Sequence, residues 1–528
     1  MRYGRGLVCL MVLILVFPSI SMESSSYPYG KKKPRLDGYF IYNITKALSN
    51  IIFTAYSKDE IAKGRAFGTK GEHLAARIIA ENLSKLGVYT TLELIGEKPR
   101  YPGDEIAHKL EVLEYSVRLN DEEVDCFPAP SWSLKGGLNK TFNYTGVKIK
   151  RIPRYPCLFD EEYASETEDF MFIDNDQWND PNASVPVIDW LKPFMDPLKF
   201  YMLFHITSLL LIEKETAFWS TFYPRCRGLI LYDFNRDCHD MIYFGGIYKN
   251  YLPVIFINGS IGRRIWSNPS GFKLDFFLKQ RYNTSLVSYN VVGEINGSDP
   301  TRTIIVSSLY DCWWNQGTAD SAIGIGIILA IAKYFKEHNI TPRFNLKFIA
   351  FGGEEYGYRG AEYYEYTHRD EDIVYIVDLN QLGFKQEYPE LTLDIVANKP
   401  GFLDFIGGIA KEVDFTGRTG VKVREVFWPD NIPSNPLPFV RHRRNCSAVS
   451  FFKDGGWILH HRDGLNHSEG DVLKYYDWNE VNVTGELILN LVLTLSTQEI
   501  ESMNTGPRKA MYLESLSPSF APFCWITI

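Results

Sequence analysis

Apolar residues recur at helical spacing near the start of the chain. Between residues 71 and 86 they form one stripe, and Gly87 follows it. The stripe consists of Leu74, Ala75, Ile78, Ile79, Leu83 and Leu86. Apolar positions three and four residues apart predict a helix with one buried face, and a glycine directly after it marks the end. The residues 88–95 that follow have the pattern of a strand.

From Asn290 onward, strand-like and helix-like stretches alternate. Short apolar, β-branched runs predict strands, and longer runs with helical spacing predict helices. The predicted strands are 303–308, 344–351, 373–379 and 448–452, and the predicted helices are 321–338, 360–366 and 486–495. The helix at 321–338 is apolar nearly all round, which predicts deep burial. The alternation predicts an α/β fold with a doubly wound, mostly parallel sheet.

The middle of the chain has a different amino-acid composition. Residues 111–288 are rich in Pro, Tyr, Trp and acidic side chains, with short strand-like runs at 228–232 and 253–257. This change predicts a separate α+β domain inserted into the main one. We therefore divide the chain into a signal peptide (1–21), the first part of the main domain (22–110), the insert (111–288), the rest of the main domain (289–500) and a tail (501–528).

The first residues predict export from the cell. Arg2 and Arg5 precede an apolar run at 7–17, and a small-x-small pattern follows Pro18. This is the composition of a secretory signal peptide, and the run is shorter than the roughly 20 residues of a membrane-spanning helix. The apolar run at 200–212 is also too short, so we expect no stable membrane span after cleavage and an extracellular or cell-surface protein.

Potential glycosylation sites agree with export. Twelve N-x-[ST] sequons occur, at Asn43, Asn82, Asn139, Asn143, Asn182, Asn258, Asn283, Asn296, Asn339, Asn445, Asn466 and Asn482. Seven cysteines remain after residue 21, and the four between Cys126 and Cys238 suggest one or two disulfides.

Composition and charge narrow the class of partner. Of the 528 residues, 45% are hydrophobic and 23% charged, so the chain can build packed cores. The formal net charge of −8 disfavours a nucleic-acid partner, because such proteins usually carry a basic surface.

Polar residues follow successive predicted strands of the main domain. They are Asp311 and Asp320 after the first strand, Glu354 and Glu355 after the second, Asn380 after the third, and His467 after the last. In doubly wound sheets, ligands collect beyond the carboxyl ends of the strands. Two adjacent acids there can divide their roles, since one can bind a metal ion while the other takes a proton from water. The alternative is a pair of surface acids, which the flanking glycines disfavour.

The order of these motifs resembles the zinc aminopeptidases of peptidase family M28 and their glutamate carboxypeptidase and glutaminyl cyclase relatives. The segments that carry the resemblance are 65–71, 290–297, 304–311, Gly317-Thr-Ala-Asp-Ser-Ala-Ile-Gly324, Phe351-Gly-Gly-Glu-Glu-Tyr-Gly-Tyr-Arg-Gly-Ala361, Asn380-Gln-Leu-Gly383 and 467–471. The insert resembles, on fewer features, a protease-associated domain.

The resemblance implies specific roles for the matching residues. In that family two zinc ions share one aspartate, which corresponds to Asp320. Glu355 and His467 match the other ligands of one zinc, and Glu354 matches the general base. The second site is changed, because Leu309 replaces its histidine and Asn380 its aspartate. Asp378, two residues earlier on the same strand, is a poor substitute. Asn435 and Pro436 stand where relatives often carry Asp-His.

These residues lead to three hypotheses. The first is a secreted peptidase with one zinc, held by Asp320, Glu355 and His467, that hydrolyses peptides near their N-terminus. The second is a catalytically inactive binding or cell-surface protein on the same scaffold. The third is an aminoacyl cyclisation of the glutaminyl cyclase kind. His460 and His461 are less favoured metal ligands.

Overall fold

The computed structural model describes residues 34–56, 64–96, 109–129, 139–151, 164–174, 222–232, 237, 252–384, 392–429, 432–443, 445–453 and 467–497. The chain divides into two units, Met1–Arg35 and Leu36–Ile528, and every element described below belongs to the second. The predicted signal peptide, the apolar run at 200–212, His460, His461 and the sequons at Asn182 and Asn466 lie outside the described residues.

Helices and strands are numbered in chain order. The helices are α1 Gly38–Ser49, α2 Ile51–Thr54, α3 Lys70–Lys85, α4 Gly259–Ser267, α5 Ile323–Glu337, α6 Arg359–Thr367, α7 Pro400–Glu412, α8 Phe415–Thr419, α9 Leu437–His442 and α10 Trp478–Thr497. The strands are β1 Tyr89–Leu94, β2 Leu110–Leu119, β3 Glu122–Glu123, β4 Cys126–Ala129, β5 Lys140–Arg151, β6 Phe170–Asp174, β7 Cys226–Leu231, β8 Val254–Ile257, β9 Lys273–Tyr282, β10 Tyr289–Ile295, β11 Asp299–Leu309, β12 Phe344–Phe351, β13 Asp372–Leu379, β14 Thr392–Ala397, β15 Lys422–Phe427 and β16 Ser447–Lys453.

The first sheet carries the main domain. Its eight strands have the order β1-β10-β12-β11-β13-β16-β14-β15. The central strands β12, β11, β13 and β16 are parallel to one another, whereas β1 and β10 at one side, and the β14–β16 pair at the other, are antiparallel. The predicted α/β fold with its parallel centre is confirmed. The antiparallel flanks were not predicted.

Each predicted element of the main domain is present. Strand β12 coincides with the predicted 344–351, and the early helix is α3, one residue earlier than predicted. The largest difference is in α10, which begins at Trp478 rather than at 486. The first turns of α10 are less strictly apolar than the rest, so periodicity alone located only the second half.

Helix α3 begins at a capping box. The Thr69 hydroxyl accepts a hydrogen bond from the Glu72 amide at 3.3 Å, and Glu72 Oε2 accepts one from the Gly68 amide at 2.6 Å. This reciprocal arrangement satisfies amides that the helix leaves without partners. It also holds the chain that precedes α3, which includes the buried Arg65.

Helix α5 lies in the centre of the main core. Residues 318–337 are the one stretch of the described chain that is long and apolar enough to span a membrane, and 89% of that window is buried within the protein. This burial agrees with a core helix. Close packing on the sheet depends on Gly324, since a Cβ there would lie 2.3 Å from Ser308 Oγ and 3.1 Å from the Leu379 carbonyl oxygen.

A second eight-stranded sheet is built from residues between 110 and 282. Its order is β3-β2-β9-β5-β6-β7-β8-β4, and it mixes parallel and antiparallel pairs. This is the region in which the sequence predicts an insert. Cys126 and Cys226 are buried free thiols, so the structure does not form a disulfide between them. Cys157 and Cys238 lie outside the described residues.

Candidate metal centre and active site

Three of the predicted residues converge at one point. Asp320, Glu355 and His467 bring one ligand atom each to within 4.8 Å of one another. His467 Nε2 lies 2.9 Å from Asp320 Oδ2 and 3.3 Å from Glu355 Oε2. Among the described residues this is the one group of three His, Cys, Asp or Glu side chains close enough to share a metal ion.

Each of the three comes from a different loop at the carboxyl end of the sheet. Asp320 lies in the irregular turn Thr318–Ala322 between β11 and α5, and Glu355 follows β12. His467 has a positive φ of 52°, an uncommon conformation for a residue other than glycine. A position at the ends of neighbouring parallel strands is where this class of fold binds ligands.

Asp311 fixes the backbone of the acid pair. Its two carboxylate oxygens accept the amide hydrogens of Glu354, at 3.0 Å, and Glu355, at 3.2 Å. Gly353 makes the turn before them, with a φ of 65° that favours glycine. Burial, and next the negative charge of Glu355, raise the pKa of Asp311 to about 8.

The loop of Asp320 is held by residues from two other segments. Asp471 accepts the amide hydrogens of Ala319, at 2.8 Å, and Asp320, at 3.3 Å. Gln381 Nε2 donates to Asp320 Oδ2 at 3.0 Å. The buried Arg65 guanidinium donates to the carbonyl oxygens of Tyr310 and Gly317, in the segment that leads to Asp320. Asp320 is thus oriented before any ligand binds.

The sequence placed Asp311 among the polar residues at the strand ends but gave it no role, and the supporting residues Asp471, Gln381 and Arg65 were not singled out. All four lie within the sequence segments that carry the family resemblance. Their position in those segments could therefore have identified them as residues of the site. It could not have identified their hydrogen-bond partners.

Glu354, the predicted general base, lies beside this group and is nearly buried. Its Oε1 accepts a hydrogen bond from Asn380 Nδ2 at 3.1 Å. Burial, followed by the negative charges of Glu355 and Asp320, raises the pKa of Glu354 well above its ordinary value. A raised pKa brings a carboxyl group closer to the neutral range in which general bases work.

The electrostatics of the three converging side chains reflect an excess of negative charge. Burial raises the pKa of Glu355, although the neighbouring His467 opposes this. Burial lowers the pKa of His467, but Glu355 and the hydrogen bond to Asp320 outweigh it, so the pKa is well above the ordinary value. A cation is favoured between these groups, and here the imidazolium is the nearest one.

The three side chains fit a zinc ion by chemistry and by spacing. Imidazole and carboxylate are common zinc ligands, and bonds of 2.0–2.2 Å in a tetrahedral site place ligand atoms about 3.3 Å apart. The observed separations of 2.9 and 3.3 Å from His467 Nε2 are close to that spacing. Three protein ligands leave a fourth position open, as in catalytic zinc sites.

A second ion does not fit the residues that the family pattern assigns to it. Leu309 is fully buried and has no lone pair to offer, and Asn380 directs its amide nitrogen, not an oxygen, toward Glu354. Asp378 cannot replace them, because its two oxygens accept hydrogen bonds from Ser307, Ser434, Asn435 and Ser450. The position of Asp378 two residues before Asn380 did not reveal that both of its carboxylate oxygens already accept hydrogen bonds.

Trp313 lies against the site without lining an open surface. Its ring is 5.0 Å from that of Tyr356 and 6.5 Å from that of His467, and it is almost completely buried. Trp314 stacks on Phe127 of β4 at 6.2 Å. Both tryptophans therefore act as packing residues here.

Part of the chain matches a known protein family. Residues 290–492 match the model for peptidase family M28. The resemblance that the motifs predict is thus confirmed for the segment that contains Asp320, Glu354, Glu355 and His467. The match to the family begins at β10 and extends into α10, and so spans the parallel centre of the first sheet.

Solved peptidase structures share the fold. A zinc aminopeptidase from Bacillus subtilis superposes with a TM-score of 0.56 at 15% identity, covering 90% of this chain and 98% of that one. A peptidase M28 precursor from Shewanella amazonensis superposes with a TM-score of 0.56 at 14% identity, covering 89% and 96%. At this identity the likeness establishes the fold alone.

Curated relatives match over short segments. Carboxypeptidase Q of Xenopus laevis is 36% identical over 84 residues, which is 16% of this chain and 18% of that protein. TRE2 of Saccharomyces cerevisiae is 32% identical over 108 residues, which is 19% of this chain and 13% of that protein. The matched segments thus span under a fifth of either relative.

Proposed function

We propose that this protein is a zinc-dependent peptidase that carries out aminopeptidase-type hydrolysis with a single zinc ion. Asp320, Glu355 and His467 hold the ion, and Glu354 is the general base. The observation that carries the proposal is the convergence of the three ligand atoms within 4.8 Å. The M28 match of residues 290–492 and the zinc aminopeptidase fold support peptides or proteins as the substrate.

When bound, zinc supplies Lewis-acid polarisation of a carbonyl group and makes water more acidic. Glu354 has an oxygen for the proton of the attacking water, because its carboxylate is ionised once a cation is present nearby. The same carboxyl group can then pass that proton to the leaving amine. Asp311 accepts hydrogen bonds from the backbone amides of both Glu354 and Glu355. These bonds fix the backbone from which the base and the metal ligand extend.

Charge balance supports one divalent cation at the site. Asp311, Asp320, Glu355 and Asp378 all raise the pKa of Glu354 through their negative charges. Like charges this close are costly in a buried setting unless a cation or protons compensate them. One zinc, together with the hydrogen bonds already made by Asp311 and Asp378, reduces that repulsion.

A second candidate function is a non-catalytic binding or cell-surface protein on the same scaffold. The observation that favours it is the loss of the second metal site at Leu309 and Asn380. Aminoacyl cyclisation of the glutaminyl cyclase kind is a third candidate that needs the same single zinc. The presence together of Asp320, Glu354, Glu355 and His467 favours the peptidase, because packing alone gives no reason for this set of side chains.

The deciding experiment combines metal analysis with one substitution. We expect about one zinc per chain by mass spectrometry of the purified protein. Glu354→Gln keeps the side-chain volume but cannot accept the proton, so kcat on aminoacyl and peptide substrates falls at least about 100-fold. Zinc content stays unchanged, since Glu354 is not a ligand.

The matched control is Glu365→Gln on α6, a buried acid that pairs with His442 at 3.1 Å and lies outside the site. It retains most of the activity per folded molecule. Zinc-loaded wild-type protein that is inactive on a broad peptide panel, yet folded, favours the binding function. Release of cyclised product from N-terminal glutaminyl substrates favours the cyclase.

Export is part of the proposal. A signal peptide ending near residue 21 and the twelve sequons support an extracellular or cell-surface glycoprotein. N-terminal sequencing of the mature protein and the mass change after deglycosylation test it. A cytoplasmic, unprocessed chain without glycan contradicts it.

A further inference from the structure

Asn380 uses both protons of its amide nitrogen on two buried neighbours. Its Nδ2 lies 3.1 Å from Glu354 Oε1 and 2.8 Å from Ser434 Oγ. Asn380 follows directly after β13 and is almost completely buried, as is Ser434. An amide NH₂ group has two hydrogens, so these two bonds use its full donor capacity.

Ser434 is the fixed point of this arrangement. Its hydroxyl donates its single proton to Asp378 Oδ2 at 2.6 Å, so toward Asn380 it can only accept. Asp378 is held in turn by the hydroxyls of Ser307, at 2.7 Å, and Ser450, at 2.9 Å. An ionised carboxylate can only accept hydrogen bonds, so Asp378 makes each of these serines the donor.

The direction of these bonds also sets the orientation of the Asn380 amide. With the amide flipped, its oxygen would face both the Glu354 carboxylate and the lone pairs of Ser434. With Glu354 ionised, both contacts would then be repulsive, because neither neighbour would have a proton to donate. The observed orientation is the one that supplies a donor to each.

We propose that Asn380 is a positioning residue for Glu354, locked through Ser434 onto Asp378, and that it fills with an amide donor the position where M28-type pairs of metal ions need an aspartate. This inference rests on the proposed function and specifies how its general base is oriented. The side chain at position 380 must donate two hydrogen bonds from one atom. An aspartate of the same shape has at most one, and adds a negative charge beside Glu354.

The test compares two substitutions with a matched control. Asn380→Asp is nearly isosteric, and we expect kcat to fall about 100-fold with KM within about threefold, because a displaced catalytic group can cost that much in rate. Ser434→Ala leaves Asn380 without its anchor, and we expect a loss of about 10-fold in kcat. Zinc content stays at one ion per chain in both variants.

Ser307→Ala is the control, since it also removes one hydroxyl donor from Asp378 but does not contact Asn380. A general structural role of the Asp378 cluster predicts equal effects of Ser307→Ala and Ser434→Ala on kcat and on Tm. The positioning role predicts similar losses in Tm but a change in kcat for Ser434→Ala alone. Equal kcat values for the two serine variants overturn the inference, even if Asn380→Asp does not fold.

Crystal structures separate this inference from the proposed function. In Ser434→Ala we expect the Glu354 carboxylate to move by more than about 1 Å relative to the Ser307→Ala protein, a displacement that matters for catalysis. If wild-type protein is inactive but the Glu354 carboxylate is displaced in Ser434→Ala, the peptidase is contradicted and the positioning role is supported. If wild-type protein is active but Glu354 stays in place in Ser434→Ala, the peptidase is supported and the positioning role is contradicted. A second zinc bound by wild-type protein next to Asn380 also overturns the inference.

Discussion

Asp311 shows how one side chain can determine the geometry of the adjacent acids Glu354 and Glu355. It is not among the three converging ligand residues, yet both of its oxygens hold backbone amides, those of Glu354 and Glu355. Mutation of groups that orient ligands in this way typically costs about 10- to 100-fold in metal affinity or activity. Asp471 has the same relation to Asp320.

We therefore predict that Asp311→Asn weakens zinc binding by about 10- to 100-fold. An asparagine keeps the shape but offers one oxygen, so one of the two amides loses its acceptor and meets an NH₂ group instead. Competition with a fluorescent zinc chelator measures the dissociation constant. Asp370→Asn, at an exposed position on the surface, is the control and leaves it unchanged. Equal affinities of wild type and Asp311→Asn contradict the orienting role.

At the scale of elements, the site depends on how closely α5 packs against the strands that carry its ligands. Gly324 lies one turn after Asp320, and its missing Cβ makes room for Ser308 of β11. Ser308 in turn donates to the Leu379 carbonyl at 2.7 Å, at the end of β13. One contact thus ties a helix to two neighbouring strands just below the metal ligands.

Two glycine-to-alanine substitutions test this packing. Gly324→Ala places a methyl group 2.3 Å from Ser308 Oγ, so we expect it to lower the free energy of unfolding by about 2 kcal/mol. Gly408→Ala in α7 meets no atom within 4 Å and should raise it by about 0.5–1 kcal/mol, because alanine favours helices. Chemical denaturation measures both. A stabilising Gly324→Ala contradicts the close approach.

The molecule buries acidic groups both at the proposed metal centre and elsewhere in the fold. Burial raises the pKa of Glu480 in α10 from 4.5 to about 7, and that of Asp311 to about 8. Burial also raises the pKa of Glu72 well above its ordinary value. At a pH between the unfolded and the folded pKa values, these carboxyl groups are protonated in the folded protein and ionised in the unfolded chain.

We predict that the metal-free protein loses stability as the pH rises from about 4.5 to 8. Across this window the folded state binds more protons than the unfolded state, so the free energy of unfolding decreases with pH. Glu480 contributes about 3 kcal/mol to the free energy of unfolding at a pH below its unfolded pKa. This contribution is lost as the pH rises past about 7. Tm measured between pH 5 and 8 after chelation tests this.

Zinc and one substitution provide the controls for the pH prediction. With zinc bound, the cation replaces protons among the acids of the site, and the decrease in Tm becomes smaller. Glu480→Gln removes its share of the slope with and without zinc, because Glu480 is not part of the metal centre. A Tm that rises with pH in the metal-free protein is incompatible with the raised pKa values.

The sequence was enough to predict the central elements of the main domain, their parallel arrangement and the four candidate residues Asp320, Glu354, Glu355 and His467. These follow from local periodicity and from motif order, which place polar residues after successive strands. It could not determine the antiparallel flanks, because strand pairing depends on which edges meet in space. Nor could it specify that Asp378 is fully hydrogen-bonded or that the Asn380 amide donates to Glu354. Hydrogen-bond direction and the convergence of ligand atoms arise only when distant segments pack together, and local pattern carries no information about those distances.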